Sequence, residues 1–302
     1  LYVDTEDDVV ADDDRLSLRE AILFLDGAHS LTAAEAELVE GEPGWSATIE
    51  LLVDRIVLRE PLPAIRYPEV RLLGEGTRLE GQAKLLAFAD CARVMLSGLS
   101  LAGAISAERV GVLGLMDSVM SDFGEVGVSA GTAKTFIGRS RFKHGETAIA
   151  SEAELHVVES RFAALATAIL ASNRRPTVLF ANRFQDVPVP LHLERAGEGA
   201  ETIIAVGNRA EGELAPVARL TGDQDRWPRK RPGMLLANTP PRLGLPADIF
   251  SLERAIFGGT GLIDLREGQG QAALRHMEFD SQDGRCFVER AGKRHRLIGL
   301  AF

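Results

Sequence analysis

Short runs of alternating apolar and polar residues recur along most of this chain. In Lys134-Thr135-Phe136-Ile137, Leu155-His156-Val157-Val158, Thr177-Val178-Leu179-Phe180 and Thr202-Ile203-Ile204-Ala205, the alternation has the two-residue period of a strand with one buried face. Gly, Asn, Pro and charged residues separate the runs, as turns require. The spacing of amphipathic helices is largely missing.

The runs are phases of a longer repeat. Met116-Asp117-Ser118-Val119-Met120, Gly138-Arg139-Ser140-Arg141-Phe142, Val158-Glu159-Ser160-Arg161-Phe162, Phe180-Ala181-Asn182-Arg183-Phe184 and Val206-Gly207-Asn208-Arg209-Ala210 are variants of one line, with a small or amide residue at a fixed place. Extended upstream to Gly98 and Gly76, that place falls at 76, 98, 118, 140, 160, 182 and 208, a mean spacing of 22 residues. Each line is followed by a small-aliphatic pair, from Ala104-Ile105 and Gly127-Val128 to Pro190-Leu191 and Pro216-Val217, and the alternating runs supply a third phase. Three short strands in each repeat, stacked at the roughly 4.8 Å distance between paired strands, predict an all-β fold, a parallel β-helix whose coils pair edge to edge around a narrow core. Leucine-rich repeats would need a Leu-x-x-Leu-x-Leu frame that does not occur here, and helical repeats need a longer unit. In this frame Phe142, Phe162 and Phe184 occupy one position and are expected to stack inside the coil, with Phe123 extending the column.

Both ends depart from the period. Ser17 and Glu20 have capping-box spacing, Leu18, Ile22 and Leu25 share a helical face, and Thr32-Ala33-Ala34-Glu35 predicts a second helix over about 31 to 39. Residues 1–45 are therefore expected to be a cap, which keeps the open end of a solenoid from recruiting other strands. The β-helix is expected over 46–225. After Val217 the period is lost, and the basic, proline-rich stretch Asp225-Arg226-Trp227-Pro228-Arg229-Lys230-Arg231-Pro232 leads into an appendage, residues 226–302. One short helix around 250–257 and a β-meander turning at Gln282-Asp283-Gly284 and Ala291-Gly292-Lys293 are predicted there.

Arg15-Leu16-Ser17-Leu18-Arg19-Glu20-Ala21-Ile22, preceded by Asp12-Asp13-Asp14, resembles the CSLREA motif at the start of many bacterial surface or secreted β-helix proteins, with Leu16 standing where the motif has Cys. Ala47-Thr48-Ile49-Glu50-Leu51 and Val70-Arg71-Leu72-Leu73-Gly74-Glu75-Gly76 are similar to that family's first coils, so the resemblance covers about residues 1–110. It implies a pectate-lyase-like superfold and a motif helix that closes the first coil. It also implies a right-handed wind, as in nearly all parallel crossovers. A secreted or cell-envelope location, extracellular or periplasmic, is the expectation that follows.

Composition narrows the function. The 302 residues are 45% apolar, enough for a sizeable core, and 44 acidic against 34 basic side chains leave a net charge of −10. That balance argues against nucleic acid or an anionic membrane surface as a partner. No apolar run is long enough for a transmembrane helix. Residues 1–60 carry a net −12 and residues 226–302 a net +5, a polarity that fits head-to-tail packing in a larger assembly. Cys91 and Cys286 fit either one disulfide or two buried thiols.

Three sets of residues carry candidate chemistry. Arg141, Arg161, Arg183 and Arg209 share one repeat phase, so their guanidinium groups could grip an acidic polysaccharide; the same pattern fits a solvated face paired with carboxylates such as Glu159. Asp12, Asp13 and Asp14, with the acids of 4–8 nearby in sequence, offer hard oxygens for Ca²⁺, yet without an Asp-x-Asp-x-Asp-Gly frame, and a hydrated acidic strand is the alternative. His144 with Lys143 and Arg139 is the cluster best suited to eliminative cleavage, although no two acids pair within a coil as glycoside hydrolysis would need. Zinc spacings, phosphate loops and dinucleotide fingerprints do not occur. The expected function is a non-catalytic extracellular or envelope-associated structural or binding module of a bacterium, with an acidic polysaccharide or an envelope protein as partner. The rival is a polysaccharide lyase or epimerase acting on an acidic glycan.

Overall fold

A computed structural model describes residues 1–11, 13–41, 44–172 and 177–194, together with Asn208 and the backbone of the strands between 203 and 297. The chain forms a parallel β-solenoid of about six turns, spaced about 22 residues apart, with few helices. It divides into two compact units, Leu1–Gly145 and Glu146–Phe302.

In the first unit the strands Tyr2–Val3, Ser46–Leu51, Glu69–Gly74, Arg93–Ser97, Val112–Met116 and Lys134–Gly138 pair in parallel, each with the next. Alternation decides which side chains enter the core: in Ser46–Leu51 it buries Ala47, Ile49 and Leu51. Register then stacks like on like. Ile49, Leu72, Leu96, Leu115 and Ile137 form one column through successive Cα partners, each at most 1% exposed. At about 25 cal/mol per Å² of apolar surface, each such side chain stabilises the coil by roughly 1.5–3 kcal/mol. A second parallel set comprises Arg55–Val57, Arg78–Ala89, Ser100–Glu108 and Val119–Gly131.

In the second unit Leu155–Val158 pairs with Thr177–Phe180, which pairs with Ile203–Val206, and Met234–Ala237 follows. The other set runs from Arg161–Ser172 through Val189–Glu194 and Ala218–Thr221 to Asp264–Glu267. Parallel rungs therefore continue past residue 225, the end expected from the sequence, although the period is lost after Val217. Pairing needs only a strand of the right length at each rung, and intervening insertions erase the regular spacing without breaking the stack. His276–Asp280, Arg285–Arg290 and Lys293–Leu297 form the expected antiparallel meander; the helix expected around 250–257 lies outside the described residues.

Two details of phase differ from the sequence reading. The second and third strands of a turn are often fused into one bent strand: Arg161–Ser172 pairs with Arg183–Gln185 along its first part and with Val189–Glu194 along its second. The residue in register with Leu191 is Ala218, one place beyond the Val217 of the apparent motif.

Both helices expected near the N-terminus are present. Helix α1, Leu18–Leu25, and helix α2, Ala33–Glu37, each begin with a complete capping box, Ser17 with Glu20 and Thr32 with Glu35. Leu16 is fully buried. The Arg19 guanidinium makes a bidentate pair with Asp8 (2.9 and 2.8 Å) within the N-terminal region and reaches the Glu60 and Pro61 carbonyls beyond it. The cap region also supplies the first rung, since Tyr2 and Val3 pair with Glu50 and Leu51.

Candidate functional site

One corner of the solenoid is built by four consecutive residues that recur in each turn. Asp117, Arg139, Glu159 and Ala181 sit in the left-handed region with φ between 47° and 54° and turn the chain. The next residue, Ser118, Ser140, Ser160 or Asn182, points inward and is at most 1% exposed. Glycines 76 and 98, aligned with these serines by sequence, hold the turning position instead, with φ of +93° and +69°, and Thr77 and Leu99 take the inward place. After the inward residue, alternation sends Arg141, Arg161 and Arg183 to solvent and Phe142, Phe162 and Phe184 to the core. Phe162 and Phe184 stack with ring centroids 5.0 Å apart.

Hydrogen bonds between turns hold this corner. The Leu99 N–H donates to Ser118 Oγ, and the Ser118 N–H donates to Ser140 Oγ. In the second unit the Ser160 N–H donates to Asn182 Oδ1 at 2.9 Å, and the Asn182 N–H to Asn208 Oδ1 at 3.0 Å. Asn182 Nδ2 donates to the Val157 carbonyl and to Asn208 Oδ1, so the amide ties three turns together.

The arginine row is real in the second unit. Arg161 is the Cα partner of Arg183, and Arg183 of Arg209. Two further arginines occupy the same strand phase in the first unit, Arg55 opposite Arg78. The sequence hides them because Ser100 and Val119 fill the positions that follow in register.

Several first-unit arginines are neutralised. Glu80 Oε1 lies 2.8 Å from both Arg55 and Arg78, Arg109 pairs with Asp90 and Glu108, and Arg139 makes a bidentate pair with Asp117 at 2.7 and 2.6 Å. By contrast, among the described residues Arg141, Arg161 and Arg183 have no carboxylate within ion-pair distance; Glu159 does not pair with them. The side chain of Arg209 lies outside the described residues.

The other candidates are placed differently. Arg139, Lys143 and His144 are all exposed; Arg139 is held by Asp117, and His144 Nδ1 lies 3.6 Å from Asp122 Oδ1. The hydrogen bonds from Arg139 hold the Asp117 carboxyl below its ordinary range, the opposite of the raised value a general acid needs. A pocket lined by Leu1, Tyr2, Glu40, Thr48 and Glu50, among others, contains none of the three. Asp12 lies outside the described residues. Asp13 and Asp14 are exposed, Asp13 Oδ1 accepts the Arg15 N–H, and among the described residues neither belongs to a group of three ligating side chains.

A group that sequence reading missed does converge in the cap. Glu20, His29 and Glu35 bring ligating atoms within 4.8 Å of one another. The sequence shows the Ser17–Glu20 capping-box spacing and a second helix around Glu35, and nothing in either shows that both glutamates face one histidine. Cys91 is a buried free thiol, and burial pushes its titration up.

No protein-family model matches the chain, and neither a curated protein nor a solved structure matches it.

Proposed function

We propose that the chain is a non-catalytic, extracellular or envelope-associated bacterial module that binds an acidic polysaccharide along the row Arg161, Arg183 and Arg209. The observation that carries the reading is an in-register line of arginines in which the two described side chains are exposed and, among the described residues, lack carboxylate partners. Like charges directly across paired strands repel, so such a row costs stability unless an anion lies along it. Guanidinium groups also match carboxylate geometry better than ammonium groups do. A linear polyuronate presents carboxylates at regular intervals and answers both requirements. The CSLREA-like segment supports the location.

The test is retention on a polygalacturonate column at low salt, followed by elution with rising salt. The double variant Arg161→Gln/Arg183→Gln should elute at distinctly lower salt than the parent, because fewer counterions are displaced. Equal elution of parent and variant, or no retention of the parent, overturns the reading. Ultraviolet absorbance from unsaturated sugars released on incubation would favour the lyase instead.

A further inference from the structure

The cap holds two glutamates where carboxylates rarely sit without compensation. Glu20 is 1% exposed and Glu35 is 0% exposed, with His29 between the two helices that carry them. Each glutamate closes its capping box. Glu20 accepts the Ala11 N–H at 2.7 Å on Oε1 and the Ser17 N–H at 2.8 Å on Oε2, and Glu35 Oε2 accepts the Thr32 N–H at 2.6 Å.

What the boxes leave over is decisive. Glu35 Oε1 and His29 Nε2 are buried and have no hydrogen-bond partner. His29 Nε2 is 3.7 Å from Glu35 Oε2, too far for a hydrogen bond. Buried polar atoms are paired in the great majority of cases, and an orphaned pair calls for a cause such as an ion. A cation lying between two carboxylates withdrawn from water would stabilise both.

We propose that Glu20, His29 and Glu35 form a Zn²⁺ site that staples α1, the segment after it and α2 into one cap. One imidazole nitrogen with carboxylate oxygens is a donor set for a borderline transition metal, whereas Ca²⁺ takes six to eight oxygens and no nitrogen. Ligands at about 2.1 Å around a tetrahedral zinc lie about 3.4 Å apart, so donors already within 4.8 Å need only a small contraction. A carboxylate oxygen has two lone pairs and can bind the ion while accepting a backbone N–H. The capping-box bonds then serve to orient the ligands. Zinc here does not depend on what the arginine row binds.

The full chain, stripped with a chelator and dialysed, is titrated with Zn²⁺ by calorimetry and with Co²⁺ by visible absorption. One equivalent should bind, Co²⁺ should give the intense bands of a tetrahedral site, and Zn²⁺ should raise the thermal midpoint in a way that EDTA reverses. His29→Ala takes no part in either capping box, so it should keep its circular dichroism spectrum and lose stoichiometric binding. X-ray absorption of the zinc-loaded parent provides a measurement independent of variant folding, with one imidazole among oxygen neighbours expected. Absence of binding by the parent, undiminished binding by His29→Ala, or a first shell containing sulfur or two imidazoles overturns the site.

Discussion

At the residue scale, the inward position of each turn shows how one side chain serves several rungs. Asn182 is fully buried and accepts from Ser160 while donating to Val157 and Asn208. Asn182→Ala would strand the Ser160 N–H and take one donor from the Val157 carbonyl, while Asn208 Oδ1 keeps the Asn182 backbone N–H; at about 1–3 kcal/mol for a buried unsatisfied group, the loss in urea unfolding should fall in that range. Asn182→Ser should cost less. Serine stands at this place in three other turns and satisfies itself by donating to the carbonyl two residues back, as Ser118, Ser140 and Ser160 do. If serine proved no better than alanine, the ladder would not be what holds this corner. The recurrence of small and amide residues here was legible in the sequence. Its exact phase was not, because Gly76 and Gly98 mimic the small residue while performing the turn one place earlier.

At the element scale, the N-terminal helix is secured by its capping box and by the side chain of Arg19. Arg19 reaches Asp8, whose side chain is only 1% exposed, and its other donors reach the loop carbonyls at 60 and 61. Asp8 Oδ2 also accepts the Arg59 N–H. Arg19→Ala would leave a buried carboxylate without its cation, a loss of about 3–5 kcal/mol for broken buried pairs. Thermal unfolding of Arg19→Ala beside Asp8→Asn/Arg19→Ala checks the account: restoring much of the stability in the double variant is the expected outcome, since the stranded charge is gone. Equal loss in both would mean the arginine acts by packing alone. The helix and its capping box could be read locally. Asp8 as the partner could not, because it depends on how the segment before the helix folds back over it.

At the scale of the whole molecule, stability is a sum over neighbouring rungs, and exposed ion pairs between turns of the first unit contribute modestly to it. Hydrogen bonds from Arg139 and Arg109 hold the Asp117 and Asp90 carboxyls below their ordinary range. A carboxyl depressed by folding stabilises fully above its unfolded value near 4 and loses that contribution as pH falls through the lower folded value. Unfolding free energy measured down an acid series should therefore fall below about pH 4, and Asp117→Asn should flatten part of that fall at a cost of no more than about 1 kcal/mol at neutral pH. A variant with an unchanged acid profile would show the pair contributes nothing. The sequence alone determined the period, the parallel stacking of like residues, the aromatic column and the two capped helices, because each arises from spacing along the chain that survives into the fold as register or helical phase. Only the tertiary structure decided which arginines of the common row are neutralised, that the rungs outlast the sequence period, and that Glu20, His29 and Glu35 meet. These depend on side chains brought together by packing from segments whose separations follow no repeat.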